Sequence, residues 1–260
     1  MPPLVQPVQA CVFDAYGTLF DFSSAAARFP DIPDDARAAL TTLWRDKQLQ
    51  YTWLRALQGA YADFRQVTAE ALEFALDSLG LMSPARHAAL MALYEVLCAF
   101  PEVPDVLKTL RKAGFKTAIL SNGTPEMLAN AIESAGLSGL FDEVLSVHPL
   151  RTYKTDRRVY QYALDRLGVP ASAISFQSSN GWDAFAAADF GMRVVWCNRY
   201  GQRRERLPGK PAYEITTLAD LPACLGLAAN PTPATQPRRG SPFAVACAVE
   251  SPHAHGLQQQ

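Results

Sequence analysis

Apolar residues fall into short runs of strand length, separated by longer amphipathic stretches. Residues 9–14 (Gln-Ala-Cys-Val-Phe-Asp) read as a buried strand ending at Asp14, and Gly17-Thr18 begins a turn. Residues 115–120, 143–147, 173–177 and 193–197 are further apolar, β-rich runs. The stretches between them carry helix ends. Pro104 and Pro125 suit first helical positions, the latter after Thr124 as N-cap, and Gly114, Gly136 and Gly168 suit the residue that follows a helix. Such alternation predicts an α/β fold: a parallel sheet with helices on both faces.

Residues 21–99 break this rhythm. They hold no strand pattern but four helix-like segments, at 34–58, 61–66, 68–79 and 84–98, with Thr68 as the cap of the third and Gly80 at its end. The expectation is an all-helical insert, closed by Pro101 and Pro104, lying as a lid beside the sheet. The predicted plan is an α/β core over residues 8–20 and 100–227 with a helical cap over 21–99. From 228 onward Ala, Pro, Thr, Gln and Ser dominate, so residues 228–260 read as a disordered tail in which His253 and His255 are solvated.

Composition narrows the function. A chain of 260 residues with 49% hydrophobic and 19% charged residues is globular in character. The net charge of -1 provides no field for nucleic acid or a membrane surface, so the expected partner is a small molecule. The five cysteines form no Cys-x-x-Cys pair and are odd in number, which predicts reduced thiols in a cytoplasm. Met1-Pro2-Pro3-Leu4-Val5 has neither a basic start nor an apolar signal run, and no apolar stretch reaches the ~20 residues that span a bilayer.

Ligands of open α/β sheets bind outside the carboxyl ends of the strands. There this sequence places Asp14-Ala15-Tyr16-Gly17-Thr18, Ser121-Asn122-Gly123, Lys154 and Ser178-Ser179-Asn180-Gly181-Trp182-Asp183. Two carboxylates, an ammonium and a hydroxyl–amide pair would converge on one place. Each also has a plainer reading. Asp14 could cap a turn, Thr18 could serve the turn itself, Ser121 or Asn122 could cap a helix, Asp183 could be a helix-start carboxylate, and Lys154 could be a loop lysine.

These segments, in this order, resemble the four motifs of the haloacid dehalogenase superfamily over roughly residues 8–225. Phe13-Asp14-Ala15-Tyr16-Gly17-Thr18-Leu19 is similar to the first, Leu120-Ser121-Asn122-Gly123 to the second, Lys154 to the third and Ser178 to Asp183 to the fourth. Leu43-Trp44-Arg45-Asp46-Lys47-Gln48-Leu49 and Tyr51-Thr52-Trp53-Leu54-Arg55 resemble the cap of the (S)-2-haloacid dehalogenases. Phosphatases of the superfamily carry a second Asp two residues after the nucleophile and acidic Mg²⁺ ligands in the fourth motif. This chain has Tyr16 and Ser178-Ser179-Asn180 there. A hard dication wants several anionic oxygens, so the resemblance points to the metal-free, cofactor-free branch.

The resemblance implies a hydrolase acting on carbon–halide bonds, with Asp14 as covalent nucleophile and Lys154 beside it keeping it ionised. Arg45 receives the halide, its alternative being a solvated helix charge. Ser121 and Asn122 hold the substrate carboxylate, and Thr18 bonds Asp14 or the ester oxygen. Ser178, Asn180 and Asp183 orient Lys154 and the hydrolytic water, and Tyr160 stands near Lys154. Ala15, Tyr16, Leu49, Phe64 and Trp182 line the substrate pocket, the aromatic ones having simple core packing as alternative. The expected reaction converts short-chain (S)-2-haloalkanoic acids to (R)-2-hydroxy acids and halide. A Mg²⁺-dependent phosphatase and a haloacetate- or fluoroacetate-preferring enzyme are the alternatives. A homodimer is implied by resemblance. Asp46, Thr155, His148 and Gln177 depart from the family pattern: Asp46 could pair with Arg45 or Lys47, and Thr155 should loosen the turn after Lys154.

Overall fold

The computed structural model describes residues 7–21 and 32–227. The expected tail at 228–260 and the first part of the expected cap, at 22–31, lie outside them. Six parallel strands form one sheet: β1 (Ala10–Phe13), β2 (Lys116–Ser121), β3 (Glu143–Ser146), β4 (Ile174–Ser178), β5 (Arg193–Cys197) and β6 (Tyr213–Ile215), in the order β3-β2-β1-β4-β5-β6. The first five match the apolar runs of the sequence. The sixth has three residues, too few for a periodic pattern to register. β1 lies between β2 and β4, where the strand order reverses, so its carboxyl end opens into the crevice in which such sheets bind ligands.

Alternate residues of β1 enter opposite cores. Cys11 and Phe13 join one apolar cluster, Ala10 and Val12 the other, so both faces of the sheet are covered. Helices α4 (Val103–Lys112) and α5 (Pro125–Ser134) pack on the first side; α6 (Arg157–Leu167) and α7 (Gly181–Phe190) on the second. Thr124 caps α5 as expected, its hydroxyl accepting from the Met127 N–H at 3.2 Å. Pro104 is the second residue of α4 rather than the first.

Between β1 and α4 lie α1 (Asp34–Gln58), α2 (Phe64–Ser78) and α3 (Pro84–Glu95). The expected segments 61–66 and 68–79 are a single helix, capped by Asp63, whose carboxylate accepts from the Gln66 N–H at 2.8 Å. Thr68 therefore caps nothing. It sits inside α2, fully buried, with its hydroxyl donating to the Phe64 carbonyl one turn back at 2.6 Å. α3 also stops short of the expected residue 98, because the returning chain pairs with the outgoing one. Asp21 N–H donates to Cys98 C=O at 2.9 Å and Phe100 N–H to Leu19 C=O at 3.0 Å. Leu40, Trp44, Phe64, Leu72 and Leu90 share one apolar cluster with Phe13 and Leu19, so the helical segment and the sheet are packed together.

Cys11, Cys197 and Cys224 are free, buried thiols. Burial pushes the Cys197 thiol up to about 11 and that of Cys11 higher still, so neither is reactive. Cys98 is half-buried in the returning segment, and Cys247 lies outside the described residues.

Gly209 holds the loop after β5 against α7. Its φ is +93°, and a Cβ there would stand 2.0 Å from the Phe185 carbonyl oxygen and 2.7 Å from the Asp189 nitrogen. Gly209→Ala is expected to destabilise the fold by roughly 2–4 kcal/mol in chemical denaturation. Gly114→Ala, with positive φ but open space around it, should cost only about 1 kcal/mol.

Candidate active site

Asp14 is the first residue past β1, 6% exposed. The turn that follows folds tightly on itself, with the Ala15 carbonyl accepting from the N–H groups of Thr18, Leu19 and Phe20. Gly17 supplies the positive φ, 84°, that the turn needs. This brings Thr18 back onto the nucleophile position, its hydroxyl donating to Asp14 Oδ2 at 3.0 Å while accepting from the Ser179 N–H at 2.8 Å. The side-chain amide of Asn180 donates to the same Oδ2 at 2.8 Å. Lys154 Nζ donates to Asp14 Oδ1 at 2.9 Å and to Asp183 Oδ2 at 2.8 Å, and Tyr160 OH donates to Asp183 Oδ1 at 2.8 Å.

Lys154 is held at its backbone too, its N–H donating to Asn122 Oδ1 at 2.9 Å. Ser121 accepts from the Gly123 N–H at 3.1 Å. Neither Ser121 nor Asn122 caps α5, since Thr124 does. Ser178 turns onto the backbone of Asn180, accepting from its N–H at 3.2 Å, so it shapes the loop rather than holding Lys154. Ala15 is buried in the turn, its carbonyl taken up by the N–H groups of Thr18, Leu19 and Phe20.

From the helical segment comes Arg45. Its guanidinium donates through Nη2 to Asn180 Oδ1 at 3.1 Å and through Nη1 to Gln48 Oε1 at 2.6 Å. A small, nearly closed cavity lies between, lined by Asp14, Tyr16, Arg45, Leu49, Phe64, Ser121, Asn122 and Trp182. Tyr16 stacks on Phe64 with ring centroids 5.8 Å apart, and Trp182 meets Trp53 of α1 edge-on at 5.5 Å. The sequence alone brings all of these to the site by resemblance; tertiary packing puts a guanidinium and a carboxylate on the walls of one small chamber.

Several supporting residues escaped the sequence reading. Arg199 donates to the Thr18 carbonyl at 2.9 Å and pairs with Glu102 at 2.6 Å, so it braces the nucleophile turn from behind. The rule that sites form at strand ends, applied to β5 as well, points to Asn198-Arg199. Gly123 lets Tyr16 approach: a Cβ there would lie 2.8 Å from the tyrosine oxygen. Gln48 and Thr68, both fully buried, stand behind Arg45.

The side chains that depart from the pattern do not line the cavity. Asp46 is exposed, and Arg45 turns to Gln48 and Asn180, Lys47 to Gln50 at 3.1 Å. His148 Nδ1 shares a hydrogen with Tyr61 OH at 2.9 Å. Thr155 is exposed, and the turn around it keeps its bonds, Asp156 N–H to Tyr153 C=O at 3.0 Å and Thr152 hydroxyl to Asp156 at 3.1 Å. Gln177 is buried in β4, donating to Ser175 at 2.6 Å.

A family model described as haloacid dehalogenase-like hydrolase matches residues 8–191. The chain is 42% identical over 222 residues to (S)-2-haloacid dehalogenase 1 of Pseudomonas sp. strain CBS-3, covering 85% of this chain and 98% of that one. It is 44% identical over 212 residues to the (S)-2-haloacid dehalogenase of Pseudomonas sp. strain YL, covering 81% and 91%. The chain belongs to the (S)-2-haloacid dehalogenase family. Its fold superposes, with a TM-score of 0.79 and 36% identity over 84% of this chain and 98% of the other, on L-2-haloacid dehalogenase from Xanthobacter autotrophicus with chloropropionic acid covalently bound.

In this dehalogenase-family site the charges are strongly coupled. Burial by itself would strip the proton from Lys154, but Asp14 and Asp183 outweigh it and raise its pKa, so the ammonium persists. Burial raises the Asp183 pKa, Lys154 opposes it, and the neighbouring Asp14 adds to it. The Tyr160 hydroxyl is pushed up by burial first and Asp183 second, so it remains a donor. Its hydrogen bond favours the ionised form of Asp183. Tyr160→Phe removes that donor, so Asp183 will take up its proton at a higher pH. The acid limb of the kcat–pH profile is expected to move to higher pH; a limb unchanged from wild type would show that Asp183 ionisation does not control turnover.

Proposed function

We propose that the protein is a metal-independent (S)-2-haloacid dehalogenase in which Asp14 attacks C2 of a short-chain (S)-2-haloalkanoic acid. The observation that carries this reading is the unequal solvation of the two Asp14 oxygens. Oδ2 accepts two hydrogen bonds, from Thr18 and Asn180, whereas Oδ1 accepts one, from Lys154. Oδ1 thus keeps a lone pair for attack on carbon, and the carbon–halogen bond breaks with its electron pair on the halide. The Arg45 guanidinium receives that charge in a chamber of low dielectric. Ester formation removes the Asp14 charge, leaving Lys154 matched by Asp183 alone. Water then attacks the ester carbon of Asp14, and the oxyanion develops on Oδ2, where Thr18 and Asn180 already donate. Asp183 is the carboxylate left to take the water's proton. The bond between the ester carbon and Oδ1 then breaks, and Oδ1 leaves as the product hydroxyl oxygen, taking up that proton, while Ser121 and Asn122 receive the substrate carboxylate. One inversion gives the (R)-2-hydroxy acid. Tyr16 and the Asn180 amide, where a phosphatase needs acids, favour this chemistry over phosphoryl transfer.

Residues 21–99 serve as the cap and residues 8–20 and 100–227 as the core in this reading, with the pairing of 19–21 and 98–100 as the joint between them. The close approach of Tyr16, Leu49, Phe64 and Trp182 around Asp14 favours small acids. The Asp14 mechanism makes a specific isotopic prediction. In a single turnover with enzyme in excess in ¹⁸O water, the label should enter the Asp14 carboxylate, and the first product should be unlabelled. Label in the first product with none in the peptide containing Asp14 would overturn the ester route.

A cytoplasmic homodimer completes the proposal. Leu54 and Leu57 of α1 are 51% and 85% exposed, and Phe74 of α2 is 40% exposed. Large apolar side chains clustered on neighbouring helices favour burial against a second copy. No helix among the described residues is long and apolar enough to cross a membrane. Sedimentation equilibrium should give a dimer mass, and Leu57→Glu should shift the equilibrium at least ~10-fold toward monomer.

A further inference from the structure

We infer that Gln48 and Thr68 are positioning residues: they form a hydrogen-bond relay that aims the Arg45 guanidinium through a neutral acceptor. The inference rests on the reading of Arg45 as the halide partner. Both side chains are fully buried between α1 and α2, where an amide or a hydroxyl is costly unless satisfied. The relay begins at the Phe64 carbonyl, which can only accept. The single hydroxyl hydrogen of Thr68 goes to it at 2.6 Å, so toward Gln48 the same hydroxyl can only accept. Gln48 therefore turns its NH₂ group to Thr68 at 2.7 Å and its carbonyl oxygen to Arg45 at 2.6 Å. Every donor and acceptor along the line has one allowed direction.

The far side of Arg45 is set by the same logic. Asn180 spends its NH₂ on Asp14 Oδ2, so its carbonyl oxygen faces the guanidinium at 3.1 Å. Arg45 is thereby held between two oriented amide oxygens, one from the helical segment and one from the core. Neutral acceptors fix the direction of a cation without cancelling its charge, which a carboxylate in the same place would do. Phe64, whose carbonyl anchors the relay, also lines the cavity, so the relay ties the apolar wall to the cation.

Gln48→Glu keeps the side-chain shape and the hydrogen bond to Arg45, but it removes the NH₂ from which Thr68 accepts and adds an anion beside the guanidinium. The expected result is a loss of roughly 10²-fold in kcat on (S)-2-chloropropionate, smaller on the bromo acid, whose leaving group needs less help. A purely structural role would leave Gln48→Glu at the wild-type rate. Thr68→Val, which cannot accept, should lower kcat by about 10-fold, and Thr68→Ser should restore it. In the Arg45→Ala background, Gln48→Met should add almost nothing to the loss. The inference is overturned if Gln48→Glu keeps wild-type kcat and chloro/bromo ratio, if Thr68→Val does, or if the Gln48→Met loss adds in full to that of Arg45→Ala. The Thr68 pair decides the matter should the glutamate variant not fold. Failure of the underlying reading looks different: Arg45→Ala itself would run at the wild-type rate.

Discussion

Lys154 carries a full positive charge to a point where almost no water reaches, and it stays charged there because Asp14 and Asp183 each give it a carboxylate oxygen within 2.9 Å. Such a cluster contributes little to the stability of a fold, since the desolvation of three ions consumes most of their attraction. Packing elsewhere must hold it. Both faces of the sheet are closed by apolar clusters, β1 lies between β2 and β4, and Asn122 and Tyr160 fasten the Lys154 backbone and the second oxygen of Asp183. The arrangement makes sense as stored asymmetry. Two carboxylates share one ammonium, so an event that removes the charge of one leaves the other ion pair balanced.

The helical segment supplies what the core lacks. The core brings negative charge and one shared ammonium to the carboxyl end of β1; α1 brings an arginine held by neutral oxygens, and Leu49 and Phe64 bring apolar surface. Removing water from the space between them strengthens every electrostatic interaction inside it. The segment is also well joined to the core. Trp44 donates from its indole to the Thr68 carbonyl at 2.9 Å, fastening α1 to α2. The loop between those helices is tied to the strand-end loop bearing Lys154 through Tyr153 and the Ala62 backbone. Movement of the helices is thereby coupled to the placement of both cations.

What the sequence determined by itself follows from local rules. Five strands showed as apolar runs, α1 as a long amphipathic stretch, and Thr124 and Gly168 as helix ends, because burial, capping and backbone conformation act within a few residues. The chemistry-bearing residues were also legible, since strand ends in a parallel sheet converge and motif order carries the rest. Tertiary structure decided the remainder. Thr68 has the local look of a cap, but Asp63 lies nearer the true helix start, and burial against Gln48 gave Thr68 a different task. β6 was too short to signal itself and exists by pairing with β5. Arg199, Gln48 and Gly123 matter through partners 181, 20 and 107 positions distant in the chain: the Thr18 carbonyl, the Thr68 hydroxyl and the Tyr16 ring. No pattern of neighbouring residues records such contacts, because the direction of a buried hydrogen bond is settled only when both of its ends have been brought together.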